Sequence, residues 1–129
     1  MRPVFQRGGT CLCAALASVV ECAFEDVIEH REAAYEWFED VHAWAAGRGW
    51  GVRVIDPEDG APVGYAIAVG PADRAGGAND GEHHAVVVLD GALAHDPFPF
   101  GRGLHRVVGY LVMTPPQAFP APLNDRLAA

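Results

Sequence analysis

Two of the three cysteines in the chain stand almost together in the stretch QRGGTCLC, residues 6–13, directly ahead of a run of small apolar residues. A cysteine attacks a carbonyl or binds a metal as its thiolate. The start of a helix favours that form, because unpaired backbone N–H groups and the helix dipole stabilise negative charge there. Cys11 occupies such a position. Cys13 points about 200° further round the same helix, so the two thiols cannot share one role. Nucleophilic catalysis by a thiol also needs a base within hydrogen-bond reach and a third group that orients the base. One hairpin pattern supplies both, with His83 and His84 on its first strand and Asp96 at the end of its second.

Two other readings use the same residues. All three cysteines fit as small core side chains, since free cysteine is among the most buried residue types. Cys11 and Cys13 with His83 and His84 would make a set of metal ligands, but their spacing matches no common zinc signature.

The hairpin register decides which histidine meets Asp96. A two-residue Asp90-Gly91 turn puts Ala85 opposite Asp96, with His83 diagonal to it on the same face and His84 turned away. A three-residue Leu89-Asp90-Gly91 loop, with Gly91 left-handed, puts His84 directly opposite Asp96. Directly opposed partners have Cβ atoms about 4.5–5.5 Å apart, close enough for a histidine–carboxylate hydrogen bond. Turn chemistry allows both, and the apolar alternation of residues 83–89 fits either.

The elements that must carry these groups follow from pattern. Residues 1–10 read as an irregular lead-in ending in Thr10, a candidate N-cap, so a helix is expected from about Cys11 to Val20. Its residues are small and nonpolar all round, which predicts a central helix buried on most sides. A short helix is expected over Phe24–His30 and a longer one over Glu32–Ala46, where Ala34, Trp37, Phe38, Val41, Trp44 and Ala45 recur at helical spacing before Gly47 and Gly49. Trp37, Trp44 and Trp50 are expected in the core. Trp50–Ile55, Tyr65–Val69, His83–Leu89, Ala92–Asp96 and Arg106–Met113 read as strands. The Asp56-Pro57, Asp59-Gly60 and Asp90-Gly91 pairs read as turns. The segments 71–82 and 97–103 read as loops bordering the candidate site, with Phe98 and Phe100 as either cleft or packing residues. His30, His42 and His105 stand alone, as surface or packing residues. Helices first and strands afterwards predict an α+β fold, helices packed on one side of a C-terminal antiparallel sheet.

At 129 residues the chain suits a single domain, 1–129, with a proline-rich tail over 115–129. Nine basic residues against seventeen acidic ones give a net charge of −8, which repels a phosphate backbone and disfavours nucleic acid as a partner. No apolar run approaches the roughly 18 residues a spanning helix needs, so no membrane role is expected. An odd cysteine count without a secretory leader pattern points to free thiols and the cytoplasm.

Taken together, Gln6, Cys11 heading a small-residue helix, the His84-Ala-Val-Val strand and the His95-Asp96-Pro97 segment resemble the papain-like cysteine peptidases. The likeness is to their compact bacterial and phage branch, which includes the bacteriocin-processing peptidases that cut after a double glycine. The order Gln, Cys, His, Asp matches. The resemblance implies a papain-like fold and a thiol-dependent hydrolase, a peptidase or amidase, acting on a peptide or protein. It implies Cys11 as nucleophile, His84 as general base and then acid, Asp96 as the group orienting the imidazole, and the Gln6 amide with the Cys11 N–H as oxyanion donors. No metal or cofactor is implied, and Cys13 receives no role. It also favours His84 over His83, and with it the three-residue loop. An acyltransferase on the same fold, or an inactive relative used as a binding module, shares every one of these features.

Overall fold

The computed structural model describes residues 1–7, 11–27, 37–73 and 83–116. Helix α1 spans Cys11–Val20, and its residues Cys13 to Val19 are all buried, as the unbroken run of small apolar side chains predicts. The predicted cap, Thr10, lies outside the described residues. Glu21 closes the helix in the left-handed conformation (φ 61°), and the Cys22 N–H donates to the Ala17 carbonyl at 3.1 Å. That i to i+5 bond is the usual way a helix end satisfies its last carbonyls.

A single 3-10 turn, Phe24–Asp26, takes the place of the short helix expected over Phe24–His30, whose remainder beyond Val27 lies outside the described residues. Helix α2 runs Trp37–Gly47. Residues 32–36 of the expected helix, and the side chains of Trp37 and Phe38, are likewise outside the description. Trp44 and Trp50 are only partly buried at the edge of the core, and the Trp44 indole N–H donates to the Asp26 carbonyl at 3.0 Å.

Five strands follow: β1 (Gly51–Ile55), β2 (Tyr65–Pro71), β3 (His83–Leu89), β4 (Ala92–His95) and β5 (Gly109–Thr114). They form one sheet in the order β1-β5-β2-β3-β4, antiparallel at every junction. The last strand begins at Gly109, not at Arg106 as the apolar pattern suggests. The preceding residues run past the end of β2 through single bonds, His105 N–H to Pro71 O and Val108 N–H to Val69 O, both 2.8 Å, without forming a ladder. Gly70 makes room for them, since a Cβ there would overlap the Arg106 carbonyl oxygen.

Strand alternation sorts the core into two clusters. Ile67, Ala85, Val87, Leu111 and Met113 join Ala15, Leu16 and Val19 of α1 and Val41 and Ala45 of α2. Ala66, Ala68, Val86, Val88 and Tyr110 form the second cluster, covered partly by Leu104 and Val107. Both helices therefore feed one cluster on one face of an antiparallel sheet, and the fold class is α+β.

Ser18 is the polar residue inside α1, fully buried. Its Oγ donates to the Ala14 carbonyl at 2.8 Å and accepts from the Val4 N–H at 2.9 Å, while its own carbonyl accepts from the Arg2 N–H at 3.0 Å. The lead-in is thereby strapped to the helix. Ser18→Ala leaves the Val4 N–H without its acceptor, and we expect a loss of about 1–3 kcal/mol, read as a lower denaturant midpoint with an unchanged slope.

Candidate active site

The hairpin joining β3 to β4 turns on two residues. Asp90 and Gly91 both have positive φ, 52° and 85°, the backbone of a type I′ turn. Leu89 pairs with Ala92 and Val88 with Leu93, so the three-residue loop favoured by the resemblance is not formed. The register then slips: Val87 pairs with His95, leaving Ala94 as an extra residue on β4. Such a bulge exchanges the two faces of everything beyond it. Without it His83 would be the same-face neighbour of Asp96. With it, Asp96 falls on the face of Val86 and His84. His84 is thus the histidine that reaches Asp96, by a bulge and not by the longer loop.

The contact is direct. His84 Nε2 lies 2.7 Å from Asp96 Oδ1, and both side chains are buried, 3% and 6% exposed. His83, one residue earlier, is exposed. Two backbone N–H groups also serve the carboxylate: Phe98 donates to Oδ1 and Gly103 to Oδ2, each at 2.9 Å. The Cys11 thiol stands near enough to the His84 ring to act on its charge, favouring the protonated form. Residues from the mouth of α1, the start of β3 and the end of β4 therefore converge in the order Cys11, His84, Asp96.

This company sets the charge. Burial by itself would push the imidazole toward its neutral form, but the hydrogen bonds and charges of Asp96 and Cys11 outweigh it and raise the His84 pKa from 6.5 to about 9. Burial would likewise raise the Asp96 pKa, yet the bond from His84 and the two backbone N–H groups hold it below the usual value. The pair is an imidazolium facing a carboxylate, with Cys11 close by.

Gln6 is brought to the same end of the sheet. Its N–H donates to the Pro97 carbonyl at 2.9 Å, and its side-chain oxygen is shut off from solvent. The segment before it is held from below by His95, whose Nε2–H donates to the Val4 carbonyl at 2.7 Å and whose ring meets Phe5 edge-on at 4.9 Å. His95 is a structural member that residue type and spacing did not single out, because its partner lies far away in sequence. Sequence reasoning also passed over Gly101 and Gly103, although the glycine-rich string after Asp96 was a visible signal of close backbone approach.

Of the three free cysteines, Cys13 and Cys22 are buried and Cys11 is partly exposed. Burial pushes the Cys22 thiol up, although Arg48 and Arg2 pull it the other way. Among the described residues, no three His, Cys, Asp or Glu side chains converge as a metal site would require. Nor is any described helix long and apolar enough to cross a membrane. Phe98 is half-buried and Phe100 fully at the surface, 88% exposed. His42 and His105 are exposed, whereas His30 is outside the described residues.

No protein-family model matches the chain, and neither a curated protein nor a solved structure matches it.

Proposed function

We propose that the protein is a thiol-dependent hydrolase, a cysteine peptidase or amidase of papain-like type, acting on a peptide or protein through Cys11, His84 and Asp96. One observation carries this reading: a buried imidazole bonded to a buried carboxylate, with a partly exposed thiol at a helix mouth near enough to act on the same ring. A core cysteine has no need of a charged partner, and a strand histidine has no need of two. The helix-then-antiparallel-sheet order, with the thiol at the start of the first helix, supports the papain-like assignment.

In this mechanism Cys11 attacks as the thiolate of a thiolate–imidazolium pair with His84: a bond forms between Sγ and the substrate carbonyl carbon, and the carbonyl π electrons move onto oxygen. The Gln6 amide and the Cys11 N–H hold that oxyanion, one such donor being worth about 2.7–4 kcal/mol of barrier. The imidazolium of His84 passes its proton to the leaving nitrogen as the C–N bond breaks, and a thioester remains on Cys11. Water then attacks the thioester while the now neutral His84 takes its proton; the C–S bond breaks, releasing the acid and restoring the thiolate–imidazolium pair. Asp96 keeps the ring oriented throughout and favours its charged form.

The test is an intact-mass measurement on the protein mixed with an activated acyl ester, followed by peptide mapping. A single acyl adduct on Cys11 that water clears is the expected result. An added amine that captures the acyl group in preference to water assigns an acyltransferase, and a protein that never acquires the adduct is the inactive binding module.

A further inference from the structure

Asp96 stands just beyond the end of β4, and the backbone that follows folds back over its carboxylate. Phe98 N–H and His84 Nε2 share Oδ1, and Gly103 N–H takes Oδ2. Between these donors, Gly101 N–H donates to the Phe98 carbonyl at 2.8 Å, closing a tight turn over 98–101. That turn lays the Gly101 Cα flat against the carboxylate. A Cβ at this position would overlap Asp96 Cγ and Oδ2, and its three nearest heavy atoms would all belong to that one carboxyl group.

The backbone of Gly101 does not itself ask for glycine. Its φ is outside the left-handed range, unlike that of Gly103 at +84°, so an alanine could adopt the same conformation. What a methyl group would meet first is the carboxylate. A carboxyl group turns easily about its last bond, because that torsion has a broad, shallow profile. Hydrogen bonds set the preferred angle of the group, and a hard contact fixes how far it can retreat from its partners.

We propose that Gly101 is a positioning residue, whose bare Cα seats the Asp96 carboxylate at the depth where Oδ1 meets His84 Nε2. This rests on the reading of Asp96 as the group that orients His84, and adds what orients Asp96. A methyl group at 101 must push the carboxylate outward or rotate it, and either movement lengthens the bond to His84 or surrenders one backbone N–H.

The experiment is Gly101→Ala, followed by NMR titration of the His84 ring. The expected result is a His84 pKa lower by about one unit or more, with Cys11 alkylation slowed about 10- to 100-fold. Gly47→Ala is the control, since a Cβ there meets nothing within 4 Å, and it should change neither quantity. An unmoved His84 titration in Gly101→Ala overturns the proposal. If that variant fails to fold, the double variant Asp96→Ala, Gly101→Ala decides. A fold restored by removing the carboxylate supports the contact, and a fold still lost overturns it. The titration needs no turnover, so a protein without hydrolase activity whose His84 pKa falls keeps this inference and loses the hydrolase reading. An active protein whose His84 pKa stays put does the reverse.

Discussion

Cys11→Ser is expected to abolish turnover of an activated acyl ester, by about 10³-fold or more, while leaving the thermal unfolding transition within a few degrees of the parent. Serine keeps the shape of the side chain and its hydrogen-bonding capacity, but its hydroxyl is far less acidic than a thiol, so His84 can no longer draw a ready anion from it. The other two cysteines cannot substitute, because both are buried. His84→Ala removes the general acid and base and is expected to cost about 10²- to 10⁴-fold. Asp96→Asn keeps a hydrogen-bonding group beside the ring and is expected to cost about 10- to 100-fold. That graded series, with Cys11 and His84 well below Asp96, is what the proposed division of labour requires. Equal turnover in Cys11→Ser and the parent would refute it.

The second large effect is on pH dependence. The native His84 holds its proton with a pKa of about 9, above the ordinary 6.5, so folding stabilises the charged ring. Stability from this source is complete below about pH 6.5 and is lost as pH rises through about 9. Asp96 runs the other way: its native value is depressed below 3.8, so its contribution is complete above that pH and lost as pH falls through the native value. The pair is therefore at full strength across the mildly acidic range. We expect the stability difference between the parent and His84→Gln to shrink by about 2–3 kcal/mol from the mildly acidic range to beyond pH 9, read from denaturant midpoints. Parallel curves would contradict it. Hydrolysis should fall along the same alkaline limb, because the leaving nitrogen then lacks its proton donor, and Asp96→Asn should draw that limb toward lower pH.

Much of the frame was legible because it is written locally. The run from Cys11 to Val20 has one pattern, small and apolar on all sides, and only a buried helix satisfies it. Asp90-Gly91 between two apolar runs is a hairpin whatever surrounds it. The candidate groups were legible by type for the same reason, since thiol, imidazole and carboxylate each sit at the end of an element. The choice between His83 and His84 was not. It depends on the bulge at Ala94, and the segment from Ala92 to His95 contains nothing that distinguishes a bulged strand from a regular one. The bond from His95 to Val4 was hidden too, because it joins residues 91 positions apart in the sequence and only the closed sheet brings them together. Gly101 was visible as a glycine in a turn, but its partner could not be read, since the need for a bare Cα arises from a carboxylate five residues away in the sequence and in contact only after the turn closes.

Of two neighbouring histidines, the one that meets Asp96 is selected by Ala94, a side chain with no chemistry at all, which acts as a phase shift in the ribbon. Lengthening or shortening β4 before Asp96 by one residue would turn the carboxylate to the face of His83, whereas a change of two would keep it on the face of His84. The facing of the carboxylate is therefore kept only by even steps in length, a constraint that belongs to the pleat of a strand and to no single side chain.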